Sequence, residues 1–296
     1  MAATLEEYRD ILIADTFVDL PRLKLRAQHG VPEEIRAEVW KYLLNVSKLD
    51  KSEEVSITKK MEENYWDMAQ TSQNDIEVLG AVKAVLRHFP PQWEAALDAK
   101  SRKMIERVAV CFLSHNTFAQ CSPTVAYLIP PIITCTQEES DAYYCFQGLM
   151  IRIITLMPET DLNLRVGRFV MLFKTIYPEV NAALEDEEVE VNEWAVSWLR
   201  FLLCRELQVE NSQRLWDSYF AADSEDLQAQ QEREDGLLLH PYVCLAILEH
   251  LQGTIIELSE RSEMLATLHH LPAMDMDQII TQAQSIRDEV KTRNLL

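Results

Sequence analysis

Positive charge is scarce in this 296-residue chain: 28 Lys and Arg stand against 48 Asp and Glu, a formal net charge of −20. An acidic surface of that size repels phosphate backbones and anionic headgroups, so nucleic acid and bare membrane drop out as expected partners. Glycine is scarcer still, at 6 residues, and neither a collagenous nor a low-complexity pattern is present. Long apolar runs are missing too. None approaches the roughly 18 residues of a spanning helix, so a soluble protein with no direct membrane insertion is expected. The start MAATLEEYRD places acids where a secretory signal carries basic residues and lacks an apolar segment, so no secretion is expected. Six cysteines (Cys111, Cys121, Cys135, Cys145, Cys204 and Cys244) never form CxxC. They read as reduced core residues of a cytoplasmic protein.

Motifs of self-sufficient chemistry are absent as well. There is no GxxxxGK[ST], no GxGxxG after a strand, no HExxH and no GxSxG. His115 stands alone and His269-His270 lacks a third ligand at metal spacing, so neither a metal nor a bound cofactor is expected.

What is present is helical periodicity over a chain that is 48% hydrophobic and 26% charged. Leu5, Tyr8 and Leu12, then Ile35, Val39 and Leu43, then Ile105, Val108 and Phe112 repeat at three- and four-residue intervals. No run alternates as a strand would. An all-α fold follows. Gly30-Val31-Pro32 with Glu33 and Glu34 behind it predicts a helix from about Pro32 to Val46, its acids at the positive end of the helix dipole. Glu185 to Glu190 reads as a solvated loop between a helix ending near Leu184 and one carrying Trp194, Trp198 and Leu202. Ala222 to Gly236, rich in Asp, Glu and Gln, reads as an exposed insertion that can be shortened without loss of fold. With no Pro/Gly/Ser linker and no repeat, the expectation is one domain over 1–296, core about 25–270, made of two packed helical halves.

Two stretches, HGVPEEIRAEVWKYLL (His29 to Leu44) and WLRFLLCRELQVENSQRLWDSYF (Trp198 to Phe220), together resemble the signatures of the TBC domain family, the GTPase-activating domains for Rab GTPases. Arg36 and Trp40 share a helix face and read as structural. Asp217 reads as a cap or as a partner of Arg200 or Arg205. The resemblance implies that the chain supplies an Arg and a Gln in trans to a Rab-family GTPase, which itself carries Mg and GTP. AVKAVLRHFP is similar to the family's IxxDxxR motif, with Arg87 at the Arg position and Ala81 and Ala84 in place of Ile and Asp. FAQ is similar to YxQ, with Phe118 for Tyr, Gln120 at the Gln position and Cys121 where Gly is common. The expected catalytic residues are therefore Arg87 and Gln120, in a cytoplasmic protein brought to endomembranes by its partners. The rival expectation is a TBC-like adaptor or complex subunit without catalysis, favoured by Ala84 and Cys121.

Overall fold

A computed structural model describes residues 5–13, 16–116, 122–222 and 236–295. Among the described residues there is no strand, only an isolated antiparallel bridge between Phe17 and Asp50, and the fold is all-helical. No helix among them is long and apolar enough to cross a membrane. Chain contacts separate two compact units, Met1–Arg152 with Trp216–Ala222, and Ile153–Leu215 with Asp223–Leu296.

The first unit opens with α1 (Leu5–Leu12), α2 (Leu20–Ala27) and α3 (Glu33–Leu43). Gly30 joins the last two at φ 98°, a conformation that suits a residue without Cβ, and its carbonyl accepts from the Tyr8 hydroxyl at 2.8 Å. Pro32 is the N-cap of α3 and not its first helical residue: its ψ of 140° is extended. The helix also stops short of Val46, because Asn45 turns left-handed at φ 58°. Next come α4 (Glu54–Ser72), α5 (Ile76–Leu86), α6 (Pro91–Ala96) and α7 (Ala99–His115), with α7 packed on both α4 and α5. The apolar stretch Val125 to Ile133 is a 3-10 turn, Pro123–Leu128, followed by the single turn α8 (Pro130–Ile133). α9 (Glu139–Leu156) buries Tyr143 and Phe146.

The second unit holds α10 (Leu162–Ile176), α11 (Pro178–Asp186), α12 (Ala195–Arg200), most of α13 (Val209–Ala221), α14 (His240–Glu257), α15 (Arg261–His269) and α16 (Met276–Thr292). α14 is apolar nearly all round and packs against α11, α12 and α16. Two sequence expectations need correction here. α11 continues into the acidic run as far as Asp186, and Val189 within that run is buried. The Trp194, Trp198, Leu202 stripe is not one helix: Trp194 caps α12, which ends at Arg200, and Leu202 and Leu203 are buried at φ 51° and 61°. Burial of both leucines offsets a backbone conformation that costs of order 1–3 kcal/mol per residue. The expected insertion Ala222 to Gly236 lies almost wholly outside the described residues.

Five cysteines are described and none is in a disulfide; four are buried and Cys135 is half-buried. Burial pushes the Cys111 thiol up to about 12, an inert thiol.

Just past the strained leucines, Glu206 is 3% exposed. Its Oε1 accepts from the Ser197 hydroxyl at 2.5 Å, while its Oε2 is buried without a hydrogen-bond partner. Burial raises its pKa from 4.5 to about 7, against the pull of Ser197 and Arg205. A carboxyl raised on folding stabilises below its unfolded pKa, and that contribution is lost as pH rises through about 7, a change on the order of 3 kcal/mol. Urea melts from about pH 5 to pH 8 are expected to show this fall, and Glu206→Gln, which cannot ionise, to flatten it. An equally steep profile in the variant would place the titration elsewhere.

Candidate functional site

α5 is fixed at both ends by its own sequence. At its start the Asp75 carboxylate accepts from the Val78 amide at 3.2 Å, a side-chain N-cap, and its other oxygen accepts from the Ser114 hydroxyl of α7 at 3.1 Å. Val82 buries the inner face, and Lys83 reaches Glu106 of α7 at 3.8 Å. At the far end Arg87 is the C-cap, with φ −70° and ψ −17°, its amide donating to the Lys83 and Val85 carbonyls. A cation there faces the negative end of the helix dipole.

The turn behind Arg87 is anchored. Phe89 is buried with its ring 5.4 Å from that of Tyr127, and the Tyr127 hydroxyl donates to the His88 carbonyl at 3.4 Å. Pro90 and Pro91 then start α6, whose Trp93 is 1% exposed. The Arg87 side chain itself is exposed, and among the described residues nothing accepts from its guanidinium. Ala84, one turn earlier, is exposed and offers no carboxylate. A backbone held from behind therefore carries a cation that faces water.

Gln120, with Phe118 and Cys121, lies outside the described residues. The described chain resumes at Ser122, which caps the Pro123–Leu128 turn, and that turn packs against both α5 and α7. Tyr127, which holds the His88 carbonyl, belongs to it.

The two signature stretches meet at Asp217, which is fully buried. Its Oδ1 accepts from Trp40 Nε1 at 2.8 Å and Arg36 Nε at 3.2 Å, and its Oδ2 accepts from the Val31 amide at 2.9 Å. Arg36 Nη2 also donates to the Val31 carbonyl at 2.6 Å. Burial pushes the Asp217 carboxyl up, and Arg36 with the Val31 and Trp40 donors pulls it back. Arg36 and Trp40 are thus united by a shared carboxylate. The expected partners of Asp217 were wrong: Arg200 pairs with Glu159 at 2.9 Å, and Arg205 lies over the Phe201 ring. Trp40 further packs edge-on against Phe220, ring centres 5.0 Å apart.

Residues 33–256 match the family described as the Rab-GTPase-TBC domain. The chain belongs to this family. It is similar to TBC1 domain family member 22A of Homo sapiens, 23% identical over 93% of this chain and 57% of that protein. It is similar to the same degree, 23% over 93%, to the GTPase-activating protein gyp1 of Schizosaccharomyces pombe, of which 58% is covered. The chain therefore spans about three fifths of the length of these curated relatives. Its fold is similar to the crystal structure of the Ypt/Rab-GAP domain of Gyp1p, with a TM-score of 0.77, 17% identity and 98% of both chains covered.

This TBC domain holds one further buried cluster that the sequence did not disclose. Glu139, at the start of α9, is 6% exposed and accepts from the Tyr65 hydroxyl of α4 at 2.5 Å and from Arg107 Nε of α7 at 2.6 Å; Arg107 Nη2 bonds its other oxygen. The three residues tie α4, α7 and α9 together, and α7 in turn packs on α5. Their separations in sequence, 74 and 32 positions, follow no local pattern.

Proposed function

We propose that this TBC domain accelerates GTP hydrolysis by a Rab-family GTPase, placing Arg87 and Gln120 in the partner's active site. The observation that carries the reading is Arg87: an exposed guanidinium without an acceptor among the described residues, on a turn fixed by Phe89 and Tyr127. Phosphoryl transfer asks little covalent chemistry of the protein. It needs positive charge on the transferring group and an amide that orients the attacking water. Arg87 supplies the first, and Gln120 the second. The partner carries GTP and Mg, and the domain binds no nucleotide or metal of its own. Action is in the cytoplasm, at the endomembranes where the GTPase sits.

Ala84 favours a second reading, an adaptor or complex subunit that binds without catalysis, because a carboxylate one turn before Arg87 would order the guanidinium and alanine cannot. Single-turnover hydrolysis across a panel of GTP-loaded Rabs separates the two. Acceleration of at least one Rab is expected. Stable binding to a Rab or another protein, with no acceleration on any Rab, would establish the adaptor instead.

A further inference from the structure

The second unit contains a pocket of about 240 Å³ beside α10. For scale, an apolar cavity of about 150 Å³ accepts benzene. Its walls are Leu156, Met157, Phe169, Leu172 and Leu237, with Tyr242 at one side. Leu164 and Leu238 also line it and are 54% and 40% exposed, so the mouth presents apolar surface to water.

Two arginines three residues apart on α10 share this pocket, Arg165 and Arg168. Arg165 Nε is sealed from water with no hydrogen-bond partner, and its Nη1 makes only a long 3.4 Å contact to the Leu199 carbonyl. Burial lowers its pKa, while Glu159 and Asp161 hold it up from beyond ion-pair distance. Glu159 is engaged by Arg200 at 2.9 Å, and Asp161, also on the pocket wall, accepts from the Thr160 hydroxyl at 3.2 Å. His240, packed from α14, is held neutral by burial, with a pKa near 4 and a 2.8 Å hydrogen bond to the Trp198 carbonyl. Arg168 is exposed and makes no ion pair among the described residues. In a chain of net charge −20, two cations that make no ion pair among the described residues, around an apolar hollow with Asp161 on its wall, are unusual. A guanidinium whose buried Nε has no acceptor costs free energy that a bound carboxylate or phosphate would return, in a bidentate geometry arginine favours.

We propose that this pocket binds a single-chain amphiphile with an anionic head, the acyl tail against Leu156, Phe169 and Leu172 and the head on Arg165 and Arg168. An uncharged apolar ligand would leave the guanidinium unpaired. A cationic one would be repelled. A small polar metabolite would meet too few donors and acceptors along the walls.

Isothermal titration of the full chain with monomeric decanoate, decanol and decyltrimethylammonium tests the charge preference without any mutation. Decanoate is expected to bind about tenfold or more tightly than decanol, the worth of one charge-assisted hydrogen bond, and the cation not to bind. Arg168→Gln, at an exposed position, and Arg165→Gln, checked for an unchanged melting temperature, are each expected to erase most of that difference. Co-flotation with phosphatidylcholine vesicles containing lysophosphatidic acid identifies the source: flotation that decanoate competes away points to membrane lipid, and decanoate binding without flotation points to a free acid. Decanoate binding no tighter than decanol, or unaltered in both variants, would overturn the proposal.

Discussion

Arg87→Ala is expected to lower the domain-stimulated rate of GTP hydrolysis by a Rab by about 10³-fold or more, the usual worth of an arginine supplied in trans. The same substitution should leave the melting temperature within error, because the side chain is exposed and nothing among the described residues depends on its guanidinium. Arg87→Lys should recover little, since an ammonium lacks the planar fork of donors. Gln120→Ala should also slow hydrolysis, and the double variant should lose less than the product of the two, because both groups act on one transition state. Ala84→Asp tests the departure from the family pattern: a restored carboxylate one turn away should raise the rate by ordering Arg87. Single-turnover kinetics on one responsive Rab reads all of these. An unchanged rate in Arg87→Ala would mean that another cation acts.

Asp217→Ala is expected to cost about 3–5 kcal/mol, the penalty of removing one partner from a buried ion pair. The loss would take the carboxylate from three donors at once: Arg36 Nε, Trp40 Nε1 and the Val31 amide. Against a total stability of roughly 5–15 kcal/mol, most of the folded population is then at risk. Trp40→Ala should cost a similar amount, about 3–5 kcal/mol, for loss of a fully buried indole packed on Phe220 and Trp216. The double variant should cost less than the sum, since the two share a hydrogen bond. Urea denaturation of the four proteins completes the cycle. Full additivity would say that the carboxylate and the indole act separately.

Helices were the most legible feature of the sequence, because their signal is local. Ile35, Val39 and Leu43 line the buried face of α3, and Ile105, Val108 and Phe112 that of α7. The reading failed where a local pattern met a non-local constraint. Trp194, Trp198 and Leu202 keep helical spacing, yet the chain leaves the helix after Arg200 and sends Leu202 and Leu203 left-handed into the core. Periodicity records which residues are buried, and a bent segment can bury the same residues. Asp217 was singled out with the wrong partners for a related reason: Arg200 and Arg205 are near in sequence, whereas Arg36 is 181 positions away and meets it only in the fold. At the candidate site Arg87 was legible through its resemblance to the family motif, and the structure adds the Phe89 and Tyr127 anchor behind it. Glu139 and its partners carried no signal, since nothing local marks a carboxylate destined for burial between three helices.

Whether Arg87 enters a partner's active site at the moment of transfer can be read by trapping that moment. A responsive Rab loaded with GDP and aluminium fluoride presents a mimic of the transferring phosphoryl group, and its affinity for this domain can be compared with that of the same Rab loaded with GDP alone. Tighter binding to the fluoride complex, abolished by Arg87→Ala while the melting temperature is kept, is the predicted result. Equal affinity of the wild-type and Arg87→Ala proteins for the fluoride-loaded Rab would contradict it.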